Sequence, residues 1–274
     1  WSIMMIILCI FMLCLMYSDK IVYFLVANVT SAERKNTTLE NNQFAGKESY
    51  QFVQLTDDFT PSTSQDLINI YYTVLNSGMK EFTFYCPEDY KNCINDVDYL
   101  SNNQVLLSHI NNFLPVYNSF QNIETEFDSL GKVTISIHYT YQQQEITELE
   151  ATVFNIINST IQDNMTTEDK IKAIHDYIIN TTKYDVNRSD NKITTYHSDT
   201  AYGALIEHYA ICSGYADSMK LFLDYLQIPN YKISSENHIW NLVYLDHTWY
   251  HLDLTWDDPV TSTGEDVLEY DYFL

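Results

Sequence analysis

The sequence predicts an α+β protein in which one helix packs on an antiparallel sheet, and three observations support this. A helical pattern of apolar and aromatic side chains begins at Cys212 and is stopped near Pro229. Two stretches rich in β-branched and aromatic residues follow, 238–245 and 248–256, separated by two residues. Upstream, helical and strand patterns alternate over residues 67–145, which predicts a small α+β domain ahead of the main one.

The N-terminal residues 1–32 are strongly apolar and are interpreted as a secretory signal peptide or a signal-anchor. The small residues at 30–32 resemble a cleavage site, but the two joined apolar stretches could also span a bilayer, so N-terminal membrane association stays open. Residues 33–66 are rich in Asn, Thr, Ser and Gln and predict a polar linker with little apolar surface to bury. We therefore expect an extracellular or cell-surface protein.

The small domain at 67–145 is predicted from a helical pattern that ends at Gly78, a suitable C-cap. A strand at 81–86, a helix at 104–114 and two strands within 120–141 follow. The pattern indicates no function for this domain.

The cysteines agree with an exported protein. Cys9 and Cys14 lie in the apolar leader, whereas Cys86 and Cys93 are close enough in sequence to close a small disulfide loop outside the cell. Two reduced, buried thiols are an equally favoured alternative. Cys212 is then the unpaired thiol.

Residues 146–274 predict the catalytic part. They begin with a helical pattern at 146–161 and a second one capped by Thr166 or Thr167. Because the sequence begins with Trp1 and ends soon after the predicted hairpin, the chain is interpreted as a fragment in which final strands of the sheet could be missing.

Cys212 lies in the first turn of its predicted helix, where unpaired N–H groups and the helix dipole favour an anion and hence the nucleophilic thiolate. The small neighbours Ser213 and Gly214 are expected to let a substrate backbone approach closely. The backbone N–H of Cys212 is the expected oxyanion donor. Tyr202 and Trp240 are candidates for a second donor or for the lining of the substrate cleft.

The number of residues in the hairpin loop, even or odd, decides whether the side chains of His238 and Asp253 lie on the same face. If Asp246-His247 form a two-residue turn, both side chains share one face and are diagonal neighbours, about 7 Å apart at the backbone. An odd-length loop would place them on opposite faces. If both side chains lie on one face, Asp253 would orient His238. His238 would then take the proton of Cys212 and later deliver it to a leaving amine.

These residues resemble the transglutaminase-like superfamily, whose core has a papain-like α+β fold. The similar stretches are AYGAL at 201–205, CSGYA at 212–216, HIWN at 238–241 and WYHLDLTWDDP at 249–259. The resemblance implies that Cys212 is the nucleophile, His238 the general base and Asp253 the orienting acid. It implies acyl transfer from a protein or peptide amide to water or an amine, with no cofactor. The hairpin turn departs from the family, which usually has Asp-Gly there.

Composition and spacing argue against other classes of function. Lys and Arg number 14 against 37 Asp and Glu, a net charge of −23, which argues against nucleic acid as a partner. A zinc site from Cys212, His238, Asp253 and His251 has no C-x-x-C or H-x-x-x-H pair to support it, so no metal ion is expected. The remaining alternative to an enzyme is a non-catalytic surface binding module that keeps the fold.

Overall fold

A computed structural model describes residues 35–128, 130–259 and 270–273 of the chain. The predicted leader at 1–32 lies outside these residues. In the part of the chain that is described, no helix combines the length and the apolar character needed to cross a bilayer.

The described residues form a mixed helix and sheet structure, which confirms the predicted α+β class. The helices are α1 Ser64–Ser77, α2 Cys93–Asn102, α3 Gln104–Asn111, α4 Gln143–Thr160, α5 Thr167–Thr181, α6 Val186–Asn191, α7 Cys212–Tyr225 and α8 Leu254–Asp257. The strands are β1 Glu81–Tyr85, β2 Phe120–Phe127, β3 Lys132–Tyr139, β4 Lys183–Tyr184, β5 Tyr209–Ala210, β6 Asn230–Ser234, β7 Ile239–Leu245 and β8 Thr248–Leu252.

An upstream hydrophobic cluster joins α1, α2 and α3 to the antiparallel sheet β1-β3-β2. Helix α1 begins with a capping box on Thr63, and Gly78 takes a φ of 78° at its end, as the sequence predicts. Helix α2 is not predicted, because its short pattern buries only Cys93, Val97 and Leu100. Cys86 and Cys93 form a disulfide with a Cα–Cα distance of 5.8 Å, which confirms the disulfide interpretation over two reduced thiols.

The segment before α1 differs from the predicted polar linker. Val53 is fully buried, and four aromatic or aliphatic side chains around it pack against the upstream cluster: Tyr50, Phe52, Leu55 and Phe59. The backbone N–H of Thr37 also donates to the carbonyl of Thr83 in β1, at 2.8 Å. A few apolar side chains among many polar ones are therefore enough to hold residues 35–63 on the fold.

A second hydrophobic cluster surrounds α7 and includes side chains of α4, α5, β7 and β8. Helix α5 is capped by Thr166 in a capping box with Asp169, so the first of the two predicted caps is confirmed. Helix α7 packs on the antiparallel sheet β6-β7-β8. A buried ion pair between Asp217 of α7 and Lys232 of β6, 2.5 Å long, joins the helix to this sheet.

The upstream cluster contacts the sheet beside α7. The backbone N–H of Lys232 donates to the carbonyl of Asn112, at 3.0 Å, and the Asn112 amide donates to the Ser234 hydroxyl, at 2.8 Å. The rings of Phe113 and Tyr231 stack nearby, with centroids 5.0 Å apart. Strand β6 is thus held by β7 on one edge and by the end of α3 on the other.

The disulfide between Cys86 and Cys93 closes a loop with a sequence separation of 7. We expect the double Ser variant of this pair to lose about 2–3 kcal/mol of unfolding free energy, because a loop this short removes that much entropy from the unfolded chain. Urea unfolding with and without a reducing agent measures the loss. The reducing agent should destabilise the wild type but leave the variant unchanged; an equal effect on both would contradict the prediction.

Candidate active site

The Cys212 thiol is free and half-buried at the first residue of α7. The helix has Ile211 at its N-cap, which offers no side-chain hydrogen bond to the first turn. An apolar N-cap is unfavourable for a helix, and it leaves first-turn N–H groups without the usual side-chain acceptor. Ile211 is held instead by its own N–H, which donates to the carbonyl of Ser198 at 2.7 Å.

Gly214 has a structural role that differs from the predicted one. A Cβ at this position would lie 2.4 Å from the carbonyl oxygen of Ser198 and 3.0 Å from that of Thr200. The small residue therefore admits the backbone of the chain's own 198–200 loop, and the expectation that it makes room for a substrate backbone is wrong for this buried position. The packing of the 198–200 loop against Gly214 fixes the position of the start of α7.

The hairpin of β7 and β8 has the predicted two-residue turn. Asp246 and His247 both have positive φ, 47° and 66°, as a type I′ turn requires, and Leu245 pairs with Thr248. The predicted register is therefore confirmed as far as the pair Asn241 and Leu252.

Strand β8 ends at Leu252, so the predicted strand over 248–256 is too long. The chain turns there into the short helix α8, because the Asp253 side chain accepts hydrogen bonds from the N–H groups of Thr255 and Trp256, at 3.1 and 3.3 Å. These bonds use the Oδ1 atom of Asp253. The other carboxylate oxygen remains for the face on which His238 lies.

The Oδ2 atom of Asp253 lies 2.5 Å from the Nε2 atom of His238. The Cys212 side chain lies close enough to affect the titration of the imidazole, so the fold brings the three predicted residues near one another. Burial lowers the pKa of His238, but the hydrogen bonds and charges of Asp253 and Cys212 outweigh burial and raise this pKa from 6.5 to about 9.

Two indole rings enclose the imidazole of His238. Trp240 and Trp256 stack on it with centroid distances of 5.4 and 5.3 Å and interplanar angles of 18° and 13°. Trp240 is a predicted cleft residue, whereas the contact of Trp256 with the imidazole is not predicted from the sequence. The available signal for this contact is an aromatic residue three positions after Asp253. Its ring stacks on the imidazole only because the chain turns into α8, a turn that the predicted strand over 248–256 does not include.

A cavity of about 520 Å³ opens beside this stack. Its lining is largely aromatic: His238, Trp240, Trp249, Tyr250, His251, Trp256 and Tyr272, with Ser235, Asp253 and Asp271. The indole N–H of Trp240 donates to the Nδ1 atom of His251 at 2.8 Å. Trp240 therefore lines the cleft, as predicted, with its donor group engaged within the protein.

Tyr202 lies outside this cavity lining. Its hydroxyl donates to the carboxylate of Glu148 in α4, at 3.0 Å, and this hydrogen bond raises the pKa of Tyr202. The Tyr202 hydroxyl is thus engaged with Glu148, and the candidate role of Tyr202 as an oxyanion donor or cleft residue stays a prediction. The AYGAL stretch that contains it begins a short helical segment before β5, in which Gly203–Glu207 are π-helical.

Two carboxylates at the end of α8 have partners in other parts of the fold. Asp257 and Asp258 are both buried; the first contacts His175 of α5 and the second accepts a hydrogen bond from the Tyr215 hydroxyl. Buried acids need partners, so a run of two beside a predicted site residue indicates tertiary contacts. The sequence could not identify these partners.

A match to a family of known proteins lies in the second half of the chain. A family profile described as "Transglutaminase-like superfamily" matches residues 155–254. A search of curated proteins found no match. A solved structure titled "Crystal structure of a TGase" is similar at 15% identity and a TM-score of 0.37, and the alignment covers 50% of this chain and 44% of that chain. The residues matched by the family profile include Cys212, His238 and Asp253, so this part of the chain is similar to a transglutaminase-like core.

Proposed function

We propose that this protein is a cysteine acyl-transfer enzyme that acts on protein or peptide amides. The observation that carries the proposal is the hydrogen bond between His238 and Asp253 beside Cys212, at the uncapped start of α7. The pKa of His238, raised to about 9, keeps a proton on the imidazole at neutral pH. A protonated imidazole beside a thiol favours the thiolate and thus the nucleophile.

In the acylation half, the Sγ atom of Cys212 attacks the carbonyl carbon of the substrate amide and forms a tetrahedral intermediate. In this proposal the first-turn N–H groups of α7, which have no side-chain cap, donate to the developing oxyanion. The imidazolium of His238 then donates its proton to the amide nitrogen. The C–N bond breaks, an amine leaves, and a thioester to Cys212 remains.

In the second half, water or a primary amine attacks the thioester carbonyl carbon. Neutral His238 accepts the proton of the attacking group, and Asp253 stabilises the imidazolium that forms. The C–S bond breaks and releases a carboxylic acid or a new amide, which restores Cys212. Hydrolysis and amine transfer therefore need the same residues and differ only in the acceptor.

The cavity beside His238 supports a role in binding substrate, because it combines aromatic walls with a few polar groups next to a residue of shifted pKa. The disulfide between Cys86 and Cys93 supports a secreted or surface-anchored location, since such bonds persist in oxidising compartments. We propose accordingly that the substrates are proteins or peptides outside the cell, and that nucleic acid is not a partner.

The reactivity of Cys212 tests the proposed nucleophile. We expect iodoacetamide to alkylate Cys212 at pH 6–7, roughly tenfold faster than in a His238→Ala variant, because the imidazolium favours the thiolate. Mass spectrometry of tryptic peptides measures the rate, and His208→Ala is the matched control. Equal rates in wild type and His238→Ala would sink the enzyme hypothesis and favour a binding module.

The pH dependence of stability tests the pair of His238 and Asp253. A folded pKa of about 9 against 6.5 unfolded means that the pair stabilises fully below pH 6.5 and that this stability is lost as pH rises through about 9. Asp253→Asn keeps the cap of α8 and removes the charge. We expect the variant to be less stable by on the order of 1–2 kcal/mol at pH 6, after allowing for solvent screening, and the difference to shrink toward pH 10.

Urea unfolding of wild type and Asp253→Asn at several pH values measures this difference. The same series with His238→Gln should give the same convergence at high pH. A stability difference that stays constant from pH 6 to pH 10 contradicts the raised pKa.

The acceptor can be identified with a glutamine-containing peptide and a primary amine that carries a fluorophore. We expect release of ammonia that depends on Cys212, with or without incorporation of the amine into the peptide. Cys212→Ser should lower the rate by at least about 10³-fold, because a hydroxyl is a far poorer nucleophile at neutral pH. Turnover that persists in Cys212→Ser would contradict the proposal.

A further inference from the structure

A buried pair behind the candidate site has no part in the proposed chemistry. The Oδ2 atom of Asp257 lies 3.1 Å from the Nε2 atom of His175, and both side chains are fully buried. The other ring nitrogen of His175 lies 3.0 Å from the carboxylate of Asp176. Carboxylates on both ring nitrogens hold the imidazole of His175 in a single orientation.

The Asp257 carboxylate also holds the backbone of residues 270–273. Its Oδ1 atom accepts a hydrogen bond from the N–H of Tyr272, at 3.0 Å. The carbonyl of the same Tyr272 accepts the N–H of Asp253, at 3.1 Å. Bonds thus run from His175 through Asp257 and Tyr272 to Asp253, and from there to His238.

Ring contacts hold the same short segment. The rings of Tyr270 and Phe273 lie 5.9 and 5.2 Å from the imidazole of His175, and the Nζ atom of Lys172 lies 4.3 Å from the centre of the Tyr270 ring. Phe273 also forms an antiparallel bridge to Leu252, the last residue of β8. The residues around His175 therefore bind the segment on several sides, directly behind Asp253.

The ring of Tyr272 also contacts the candidate site, through Trp256. It packs edge-on against Trp256 with centroids 4.9 Å apart, and Trp256 stacks on His238. The carboxylate that binds the imidazole and one of the two indoles that stack on it are thus supported by residues 270–273.

We propose that Asp257 and His175 are positioning residues for His238, acting through Tyr272 and the backbone of Asp253. When Asp257 binds the Tyr272 N–H, the Tyr272 carbonyl stays in place for Asp253, and α8 holds the Asp253 carboxylate toward the imidazole. The role rests on the proposed function of Cys212, His238 and Asp253, but its measurement needs no turnover.

The test is the titration of His238, followed by NMR of the imidazole in protein labelled at histidine. Asp257→Asn weakens the pairing with His175, and His175→Phe removes it while keeping a flat ring between Tyr270 and Phe273. We expect either variant to lower the midpoint of the His238 titration by about one pH unit, because Asp253 is then held less firmly against the imidazole. Alkylation of Cys212 at pH 7 should slow about three- to tenfold.

The double variant of Asp257 and His175 separates positioning from general destabilisation. Residues in one hydrogen-bonded series are not additive, so the double variant should shift the titration no more than the larger single change. Val153→Ala in the core of α4 is the control, since it loses stability without touching the series. It should leave the His238 midpoint unchanged.

The outcomes distinguish this inference from the proposed function. An unchanged His238 midpoint in folded Asp257→Asn or His175→Phe overturns the positioning role. If Asp257→Asn does not fold, His175→Phe decides alone, because it removes the imidazole that holds the Asp257 carboxylate in place for the Tyr272 N–H. A shifted midpoint in a protein without acyl transfer activity keeps the positioning role and rejects the enzyme.

Discussion

The arrangement of the site depends on the hydrogen bonds that the carboxylate of Asp253 accepts. One oxygen accepts the first N–H groups of α8 and so ends β8, while the other binds His238. A single side chain therefore decides where the strand stops, how the following helix is directed and how the imidazole is oriented. The turn into α8 also places Trp256 on the ring of His238. The pKa of His238, raised to about 9, follows in part from the same bond.

Much of this geometry could be predicted because it follows from local periodicity. Side chains alternate along strands, so the two residues of the Asp246-His247 turn were enough to place His238 and Asp253 on one face. Both turn residues adopt positive φ although neither is glycine. Tertiary packing of the hairpin therefore outweighs a local preference that costs roughly 1–2 kcal/mol per residue. The start of α7 at Cys212 was predicted in the same way, from helical spacing and a stop near Pro229.

The contacts that local patterns could not predict are those between distant parts of the chain. Gly214 is small because the backbone of Ser198 lies against it, and no spacing in the sequence indicates that approach. Tyr202 lies near Cys212 in sequence, but its hydroxyl bonds to α4. The partner of Asp257 is a histidine of α5, and a buried pair of this kind is recognised only once both elements are packed.

The bonds between Asp253 and Tyr272 also have a consequence for the order in which the protein is made. A ribosome releases Cys212 and His238 well before Tyr272, so the nascent hairpin can form while the support of its acid is still to come. The thiol is thus synthesised ahead of its complete surroundings. The pair of His238 and Asp253 therefore gains its full support only after residues 270–273 have been synthesised and have packed against the hairpin.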